Sequence, residues 1–203
     1  RFIKSPRSQK DISEYSFTQP FRIIYISIVD LYKHQWHVAE AVSILRNKGI
    51  PVELLLVGPS TPKALKLLQD SLNRLDPSSK YIHYLGPVPY ERLHEQYDKA
   101  DLCLFASSCE NMPNILLEGM ASGLPIACSN KGPMPEVLGE GGLYFDPEKP
   151  DEIANALLNM INSPELRNKL AEIAFNRVRK YSWKLCADQT FEFLKNVAMN
   201  HRV

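Results

Sequence analysis

The sequence lacks the features that define several broad classes of protein. No apolar segment approaches the ~18 residues that a membrane-spanning helix requires, and no signal peptide is recognisable. Lys and Arg number 24 against 23 Asp and Glu, so the formal net charge is only +1. That balance gives no electrostatic reason to expect nucleic acid or an acidic membrane as a partner. The sequence also contains no internal repeat and no low-complexity tract.

Cysteine, metal-ligand clusters and the common nucleotide motifs are scarce or missing. The four cysteines show neither metal-type nor redox-type spacing, so we expect structural thiols in a reducing compartment. His34 and His37 have no third ligand beside them, so we predict no metal site. The first predicted strand is not followed by Gly-x-Gly-x-x-Gly, which argues against a dinucleotide oxidoreductase. There is no Gly-x-x-x-x-Gly-Lys-Ser/Thr motif either, which excludes a P-loop enzyme.

From Phe21 onward, short apolar segments alternate with longer amphipathic ones. Strands are predicted at 21–27, 52–57, 81–85, 101–106, 124–128 and 142–145, and helices at 35–48, 62–75, 90–98, 113–122, 150–161, 163–180 and 184–198. This alternation predicts an α/β fold, a Rossmann-like parallel sheet with helices on both faces. We expect one Rossmann-like domain over 21–183 and a C-terminal helix within 184–203. Residues 1–20 have no initiator Met and no periodic pattern, which predicts a linker or an extension from a preceding domain.

Residues that could bind a ligand follow several of the predicted strands. In parallel sheets of this kind, ligands bind outside the carboxyl ends of the strands. Lys33 follows the first strand, Gly58-Pro59 the second, the segment 86–88 the third and Glu110 the fourth. We therefore expect these residues to share one edge of the sheet. Gly58 and Gly86 are most simply turn residues, but they also let the backbone approach a ligand closely.

Glu110 and Glu118 are the most informative pair of residues. Pro113 suits the first turn of a helix, where its missing N–H costs nothing, so Glu110 lies in the loop before the helix and Glu118 lies on it. Free N–H groups at a helix N-terminus attract anions, and carboxylates accept hydrogen bonds from diols. A solvated loop is the default for any single Glu, but this context favours a ligand with both phosphate and hydroxyl groups. A sugar nucleotide fits, and Lys33 would neutralise its diphosphate without a divalent cation.

These motifs together resemble the C-terminal, donor-binding domain of the retaining glycosyltransferases of family 4, which have the two-domain GT-B fold. The resemblance covers about residues 21–183 and lies in an ordered set of motifs. They are Tyr32-Lys33-His34-Gln35, Leu55-Leu56-Val57-Gly58-Pro59, Leu85-Gly86-Pro87-Val88, Ala100-Asp101, Glu110 through Gly123-Leu124-Pro125, Pro135-Glu136-Val137 and Gly142-Leu143-Tyr144-Phe145.

The resemblance implies a role for each matching position. Glu110 would contact the donor sugar near the reacting carbon, Glu118 the ribose hydroxyls and Lys33 the diphosphate. The segment 85–88 would face the base, and the backbone after Glu110 would line the sugar and phosphates. The donor-binding residues implied in these two segments are Gly86, Val88, Asn111, Met112, Pro113, Asn114 and Ile115.

The implied activity is metal-independent transfer of a hexose-type sugar, with retention of configuration, to a glycan or lipid-linked acceptor. No cofactor is expected beyond the nucleotide sugar, which is the donor substrate. The acceptor site would come from an N-terminal domain outside this chain, so the isolated chain is expected to bind donor but to transfer poorly. A cytoplasmic location follows from the resemblance, with peripheral membrane association an option for a longer enzyme.

Three departures from the family pattern leave the donor open. Ile28 stands where many members have Arg, Asn111-Met112-Pro113 replaces the frequent Gly-Phe-Gly, and Gly132-Pro133-Met134-Pro135 replaces paired glycines. Two alternatives remain: a sugar-nucleotide epimerase of the same architecture, and a non-catalytic module that binds a nucleotide or a protein. A phosphorylase would need a pyridoxal-phosphate lysine, for which no sequence context exists.

Overall fold

The computed structural model describes residues 2–200, and a parallel sheet forms its centre. Its six strands are β1 (Phe21–Ile26), β2 (Val52–Val57), β3 (Ile82–Tyr84), β4 (Leu102–Phe105), β5 (Ile126–Ser129) and β6 (Gly142–Phe145). Their order is β3-β2-β1-β4-β5-β6, and every neighbouring pair is parallel. Because the order reverses between β1 and β4, a crevice opens at the carboxyl ends of these two strands.

Helices cover both faces of the sheet. They are α1 (Gln35–Asn47), α2 (Pro62–Leu75), α3 (Leu93–Asp98), α4 (Asn114–Ala121), α5 (Met134–Leu138), α6 (Pro150–Ile161), α7 (Pro164–Val178) and α8 (Trp183–Asn200). Helix α1 contacts α2 and α6, whereas α4 contacts α5 and α7. Right-handed crossovers place the first group on one face and the second on the other. The predicted Rossmann-like α/β fold is confirmed.

The sheet is buried on both faces, as the apolar strands predict. All four residues of β4 and of β5 are buried, and Phe21, Ile23 and Ile24 of β1 are fully inaccessible to solvent. Strands that are buried on both faces have near-continuous apolar sequences instead of an alternating pattern. The core therefore lies around β1, β4 and β5, directly below the crevice.

Most predicted elements agree with the structure, and the differences concern proline and short segments. Strand β5 begins at Ile126 because Pro125 has no N–H to donate; its carbonyl accepts from the Cys103 N–H instead. The predicted helix at 90–98 divides into a 3-10 turn, Tyr90–Arg92, and α3. Helix α5 was not predicted; its Pro135 lies in the first turn, where proline is compatible with a helix.

Residues before β1 pack along the domain. The Lys4 N–H donates to the Ala121 carbonyl at the end of α4, and the Arg7 guanidinium donates to the carbonyls of Asp98 and Ala100. The proposed linker role of residues 1–20 concerns a further domain and stays a prediction. Arg1 and residues 201–203, which belong to the predicted terminal segments, lie outside the described residues.

Helix α8 is the least integrated of the described elements. None of its side chains is buried. Its apolar residues are exposed, among them Trp183, Phe191, Phe193 and Leu194. Within residues 2–200, no helix has the length and apolar character needed to cross a membrane.

Candidate functional site

Lys33 lies at the carboxyl end of β1, in a 3-10 turn that leads into α1. Only 4% of its side chain is exposed. Its Nζ donates a hydrogen bond to Glu110 Oε1 and lies 5.0 Å and 5.1 Å from the ring centroids of Tyr32 and Phe105. The Tyr25 hydroxyl holds the backbone of the 3-10 turn by donating to the Lys33 carbonyl over 2.9 Å. The cation proposed for the diphosphate therefore sits in the crevice, between two rings and a carboxylate.

The loop after β4 carries Glu110 and is tied to the β1–α1 connection. The Ser108 N–H donates to the Tyr32 carbonyl over 2.8 Å, and Ser108 Oγ lies 2.9 Å from Nε2 of His34. These contacts explain how Lys33 and Glu110, which are 77 residues apart, come together. The structure thus joins two of the predicted site residues in one ion pair.

His34 is an unusual residue at the start of α1. It has a left-handed backbone with φ 53° and is buried, and its Nδ1 has no hydrogen-bond partner among the described residues. Burial, followed by the neighbouring His37, lowers the pKa of His34. The two imidazoles are stacked with centroids 5.4 Å apart. Among residues 2–200 no group of three or more His, Cys, Asp and Glu side chains is placed to hold a metal ion.

The N-terminus of α4 faces the crevice without a side-chain cap. Its N-cap residue is Pro113, which has no acceptor atom in its side chain. The Asn114 N–H donates to the Met112 carbonyl, and the Leu117 N–H donates to the Pro113 carbonyl. Between them, Ile115 and Leu116 occupy first-turn positions, where N–H groups have no intrahelical acceptor. The sequence pointed to 111–115; Leu116 was not predicted as part of the site.

Glu118 lies one turn along α4 and is half-buried. Burial raises the pKa of its carboxyl, and a hydrogen bond from Tyr90 partly opposes that rise. The next residue, Gly119, brings the helix close to β4, because a Cβ there would lie 2.8 Å from Cys103 Sγ. Glu118 is therefore a half-buried carboxyl on the turn of α4 that packs most closely against β4.

The segment after β3 reaches the same edge of the sheet. Gly86 has φ +69°, and its carbonyl accepts from the Gly58 N–H over 2.9 Å. Gly58 itself has φ +142°, and a Cβ there would lie 2.1 Å from the Ser27 carbonyl oxygen, so glycine is required. Val88 is half-buried and Leu85 is exposed. The backbone of 85–88 is thus anchored to β2, with part of its surface open to solvent.

The structure adds residues that the sequence did not single out. Tyr32 and Phe105 surround the Lys33 ammonium, and Tyr90 partly opposes the rise in the pKa of Glu118. Tyr32 stands next to Lys33 in the chain, which was a usable signal. Phe105 and Tyr90 gave none, because their roles depend on which loops meet at the crevice. Asn111, Met112 and Asn114 are exposed.

A parallel sheet with strand order 3-2-1-4-5-6 defines a doubly wound, Rossmann-like α/β fold, and Lys33 and the uncapped N-terminus of α4 lie at its switch point. The family model of glycosyl transferases group 1 matches residues 7–177. The chain belongs to this family.

Curated relatives agree with this assignment. The chain is 33% identical over 115 residues to the O-antigen chain mannosyltransferase B of Escherichia coli, a match that covers 57% of this chain and 30% of that protein. It is 30% identical over 167 residues to the D-inositol 3-phosphate glycosyltransferase of Corynebacterium urealyticum, covering 78% of this chain and 38% of the relative. The chain thus spans well under half of each of these relatives.

Solved structures support the fold. The HepE protein of Anabaena, in complex with UDP and glucose, superposes with a TM-score of 0.78 at 20% identity, covering 95% of this chain and 57% of that one. The structural neighbours are GT-B glycosyltransferases, and at this identity the likeness concerns the fold alone. The expected resemblance to group 1 glycosyltransferases and the Rossmann-like half of a GT-B fold are both confirmed.

Proposed function

We propose that this chain is the donor-binding half of a retaining glycosyltransferase that transfers a hexose-type sugar from a nucleotide sugar to a glycan or lipid-linked acceptor. One observation carries the proposal. Lys33, Glu110 and the uncapped N-terminus of α4 meet at the switch point of the sheet. This combination offers positive charge for a diphosphate and a carboxylate for sugar hydroxyls within one crevice.

The diphosphate would be held by the ammonium of Lys33 and by the first-turn N–H groups of Ile115 and Leu116. A helix N-terminus stabilises a nearby anion by about 0.3–2 kcal/mol, and hydrogen bonds to charged groups contribute about 1.5–3 kcal/mol each. No arginine assists Lys33 from position 28, which is Ile28. Lys33 is thus the main side-chain cation in this proposal, and no metal ion or other cofactor is invoked.

The nucleoside would extend from the diphosphate towards β3. Glu118, which is half-buried on α4, would accept hydrogen bonds from the ribose diol. The segment 85–88, including Gly86 and Val88, would then face the base. Burial raises the pKa of Glu118, so the pH at which it becomes an acceptor-only carboxylate is higher than for an exposed Glu.

Glu110 would lie beside the donor sugar, with the backbone of Asn111, Met112 and Pro113 along the sugar's edge. We favour front-face attack within a short-lived ion pair, with the leaving phosphate oxygen taking the proton of the acceptor hydroxyl. The carbon–oxygen bond to phosphate breaks while the bond to the acceptor forms on the same face, which retains configuration. The acceptor site would come from a separate N-terminal domain. The isolated chain is therefore expected to bind donor without appreciable transfer.

Ligand binding measured by thermal shift tests the proposal. A ligand that binds only the native state raises Tm. UDP, GDP, ADP and their hexose conjugates are each titrated. At least one nucleoside diphosphate and its hexose conjugate are both expected to raise Tm. Lys33→Met is expected to weaken the binding of that ligand by about 10–100-fold, corresponding to about 1.4–2.8 kcal/mol of binding free energy.

The matched control is Lys4→Met, which removes another lysine–carboxylate pair, that of Lys4 with Asp98 at 2.5 Å. This pair is distant from the crevice because Lys4 packs at the C-terminal end of α4. The control should leave binding unchanged. If no nucleotide raises Tm, or if Lys33→Met binds as well as Lys4→Met, the proposal is wrong. Transfer by the isolated chain would refute the donor-half assignment.

A further inference from the structure

His34 has a backbone conformation that is uncommon for a residue with a side chain. Its φ of 53° lies in the left-handed region, and within residues 2–200 the only other non-glycine residue with positive φ is Ser79, at 48°. This conformation costs free energy for an L-residue, and such strain concentrates at functional sites. His34 stands between Lys33 and the first residue of α1. The strain therefore lies in the turn that carries the Lys33 ammonium into the crevice.

The surroundings of the His34 imidazole assign its tautomer. The side chain is 7% exposed, and Nδ1 meets no hydrogen-bond partner in the described part of the chain. Burial, followed by the neighbouring His37, lowers the pKa of His34, so the ring is neutral at pH 7. Buried N–H groups without an acceptor are rarer in proteins than buried acceptors without a donor. The proton therefore lies on Nε2, and Nδ1 is the bare nitrogen.

With its proton on Nε2, His34 begins a directional chain of hydrogen bonds. Nε2 donates to Ser108 Oγ over 2.9 Å, and the Ser108 hydroxyl donates to the Tyr32 carbonyl over 3.3 Å. The His37 ring stacks on the imidazole with an angle of 13° between the two planes, which fixes the orientation of His34. This chain ties the loop after β4 to the β1–α1 turn, two residues before Glu110.

The same loop is held at a second point by the ion pair between Lys33 and Glu110. The diphosphate of the proposed donor would compete for the Lys33 ammonium, so this ion pair weakens when ligand binds. The bond from His34 to Ser108 involves no charged group, and a competing anion leaves it intact. It is therefore the contact that keeps Glu110 in place once Lys33 has a second counter-ion.

We propose that His34 is a positioning residue, which through Ser108 holds the loop of Glu110 in place for the sugar part of the donor. This inference rests on the proposed function and deepens it by dividing the site into two parts. Lys33 and the N-terminus of α4 act on the nucleoside diphosphate. The contact between His34 and Ser108 acts only on a ligand that also carries a hexose, and it sets the preference of the site for nucleotide sugar over nucleoside diphosphate.

His34→Gly tests this role, because glycine suits a left-handed backbone and the change removes the imidazole. The probes are the nucleoside diphosphate among UDP, GDP and ADP that binds wild type, and its hexose conjugate, both titrated by calorimetry. Affinity for the conjugate should fall by about 3–10-fold, as for the loss of one hydrogen bond, with affinity for the free diphosphate unchanged. Ser108→Ala should have the same effect, and the double variant should lose no more than either single one, because both remove one bond.

Two further variants separate positioning from a general loss of structure. Ser79→Gly is the matched control, since Ser79 is also left-handed but is exposed and precedes β3, at the amino end of the sheet. It should change neither affinity. His34→Gln supplies an amide N–H in place of the Nε2 donor and should restore most of the preference for the conjugate that His34→Gly loses.

Nitrogen-15 NMR of the imidazoles supplies a readout that needs no ligand. In wild type at pH 7, His34 should show a protonated Nε2 and a bare Nδ1. A proton on Nδ1 instead would reverse the hydrogen bond to Ser108 and overturn the chain that leads to the Tyr32 carbonyl.

The binding outcomes separate this inference from the function beneath it. If wild type binds no nucleoside diphosphate together with its hexose conjugate, both fall. If wild type binds such a pair, and His34→Gly weakens the two ligands equally or behaves like Ser79→Gly, only the role of His34 is refuted. A selective loss for the conjugate, shared with Ser108→Ala and reversed in His34→Gln, supports it.

Discussion

Lys33 and Glu110 neutralise each other in the absence of ligand, and both are largely buried. Their side chains are 4% and 16% exposed, and two aromatic rings flank the ammonium. A charge in such surroundings is stable only with its partner, because its hydration shell has been removed. In the proposed mechanism, the diphosphate would offer Lys33 a second counter-ion.

Glu110→Gln should therefore destabilise the ligand-free protein, by about 1–3 kcal/mol, since it leaves the buried ammonium without a carboxylate. Urea unfolding measures the change. The double variant Lys33→Met/Glu110→Gln should recover part of the lost stability, because both charges are then gone. The resulting double-mutant cycle gives the coupling free energy between Lys33 and Glu110. A Glu110→Gln protein as stable as wild type would show that the pair contributes nothing.

Glu118 should make the stability of the protein depend on pH. Burial raises its pKa, against the smaller influence of Tyr90, so the folded state holds this proton more tightly than the unfolded state. Stability from this group is therefore present at low pH and lost as pH rises through the raised pKa. Glu118→Gln should make the ligand-free protein more stable than wild type at pH 7.5.

Near the usual carboxyl pKa of 4.5, the two proteins should converge. Urea unfolding at pH 4 and pH 7.5 provides the comparison, and nucleotide binding should be lost in the variant. Equal stability at both pH values would mean that burial does not cost Glu118 free energy. A residue that lowers stability in the free protein is better explained by a binding role than by a structural one.

At the scale of elements, Arg167 connects the N-terminal segment to the helices. The side chain is fully buried, and Nη1 donates to the Met160 and Ile161 carbonyls at the end of α6, over 2.5 Å and 2.7 Å. Nη2 donates to the Lys10 carbonyl, and Nε donates to Gln9 over 3.1 Å. The Ile161 carbonyl is one that a helix end leaves without an intrahelical partner, and Arg167 supplies its donor.

Arg167→Met should cost about 3 kcal/mol or more in the free energy of unfolding, because four hydrogen bonds of a buried guanidinium are lost at once, to Met160, Ile161, Lys10 and Gln9. Arg177→Met is a matched control. Arg177 also donates to two carbonyls, of Val137 and Glu136, but its side chain is partly exposed and water can replace it. Urea unfolding should rank Arg167→Met as clearly less stable than Arg177→Met, and the reverse order would contradict this account.

Secondary structure was predictable where the spacing of apolar residues and the positions of Gly and Pro indicate the same element. Strands β2 and β6 and helices α2 and α6 have the predicted bounds, since Gly and Pro mark their ends. Helix α5 escaped prediction because it has only five residues and follows the prolines Pro133 and Pro135, which local sequence reading associates with turns, although Pro133 is the N-cap and Pro135 lies in the first turn. The three-residue β3 is shorter than its apolar run, because pairing with β2 alone decides where it ends.

At the scale of the whole molecule, α8 stands apart from the packed layers. Deleting residues 183–203 removes no described side chain that is buried. We expect the free energy of unfolding to change by less than about 1 kcal/mol, measured in urea, with α7 intact as the last packed helix. A loss of several kcal/mol would show that α8 contributes to the fold, and deletion of α7 provides the destabilised reference.

The amino-acid sequence by itself determined the alternation of strands and helices, the parallel sheet and the position of an uncapped helix start after Glu110. These follow from local spacing, proline chemistry and the burial of apolar strands, which neighbouring residues in the chain decide. Only the tertiary structure decided that Lys33 pairs with Glu110, that Phe105 flanks the ammonium and that the Ser108 N–H bonds the Tyr32 carbonyl. Such contacts join segments far apart in the chain, and their geometry depends on how the crossovers bring the strand ends together.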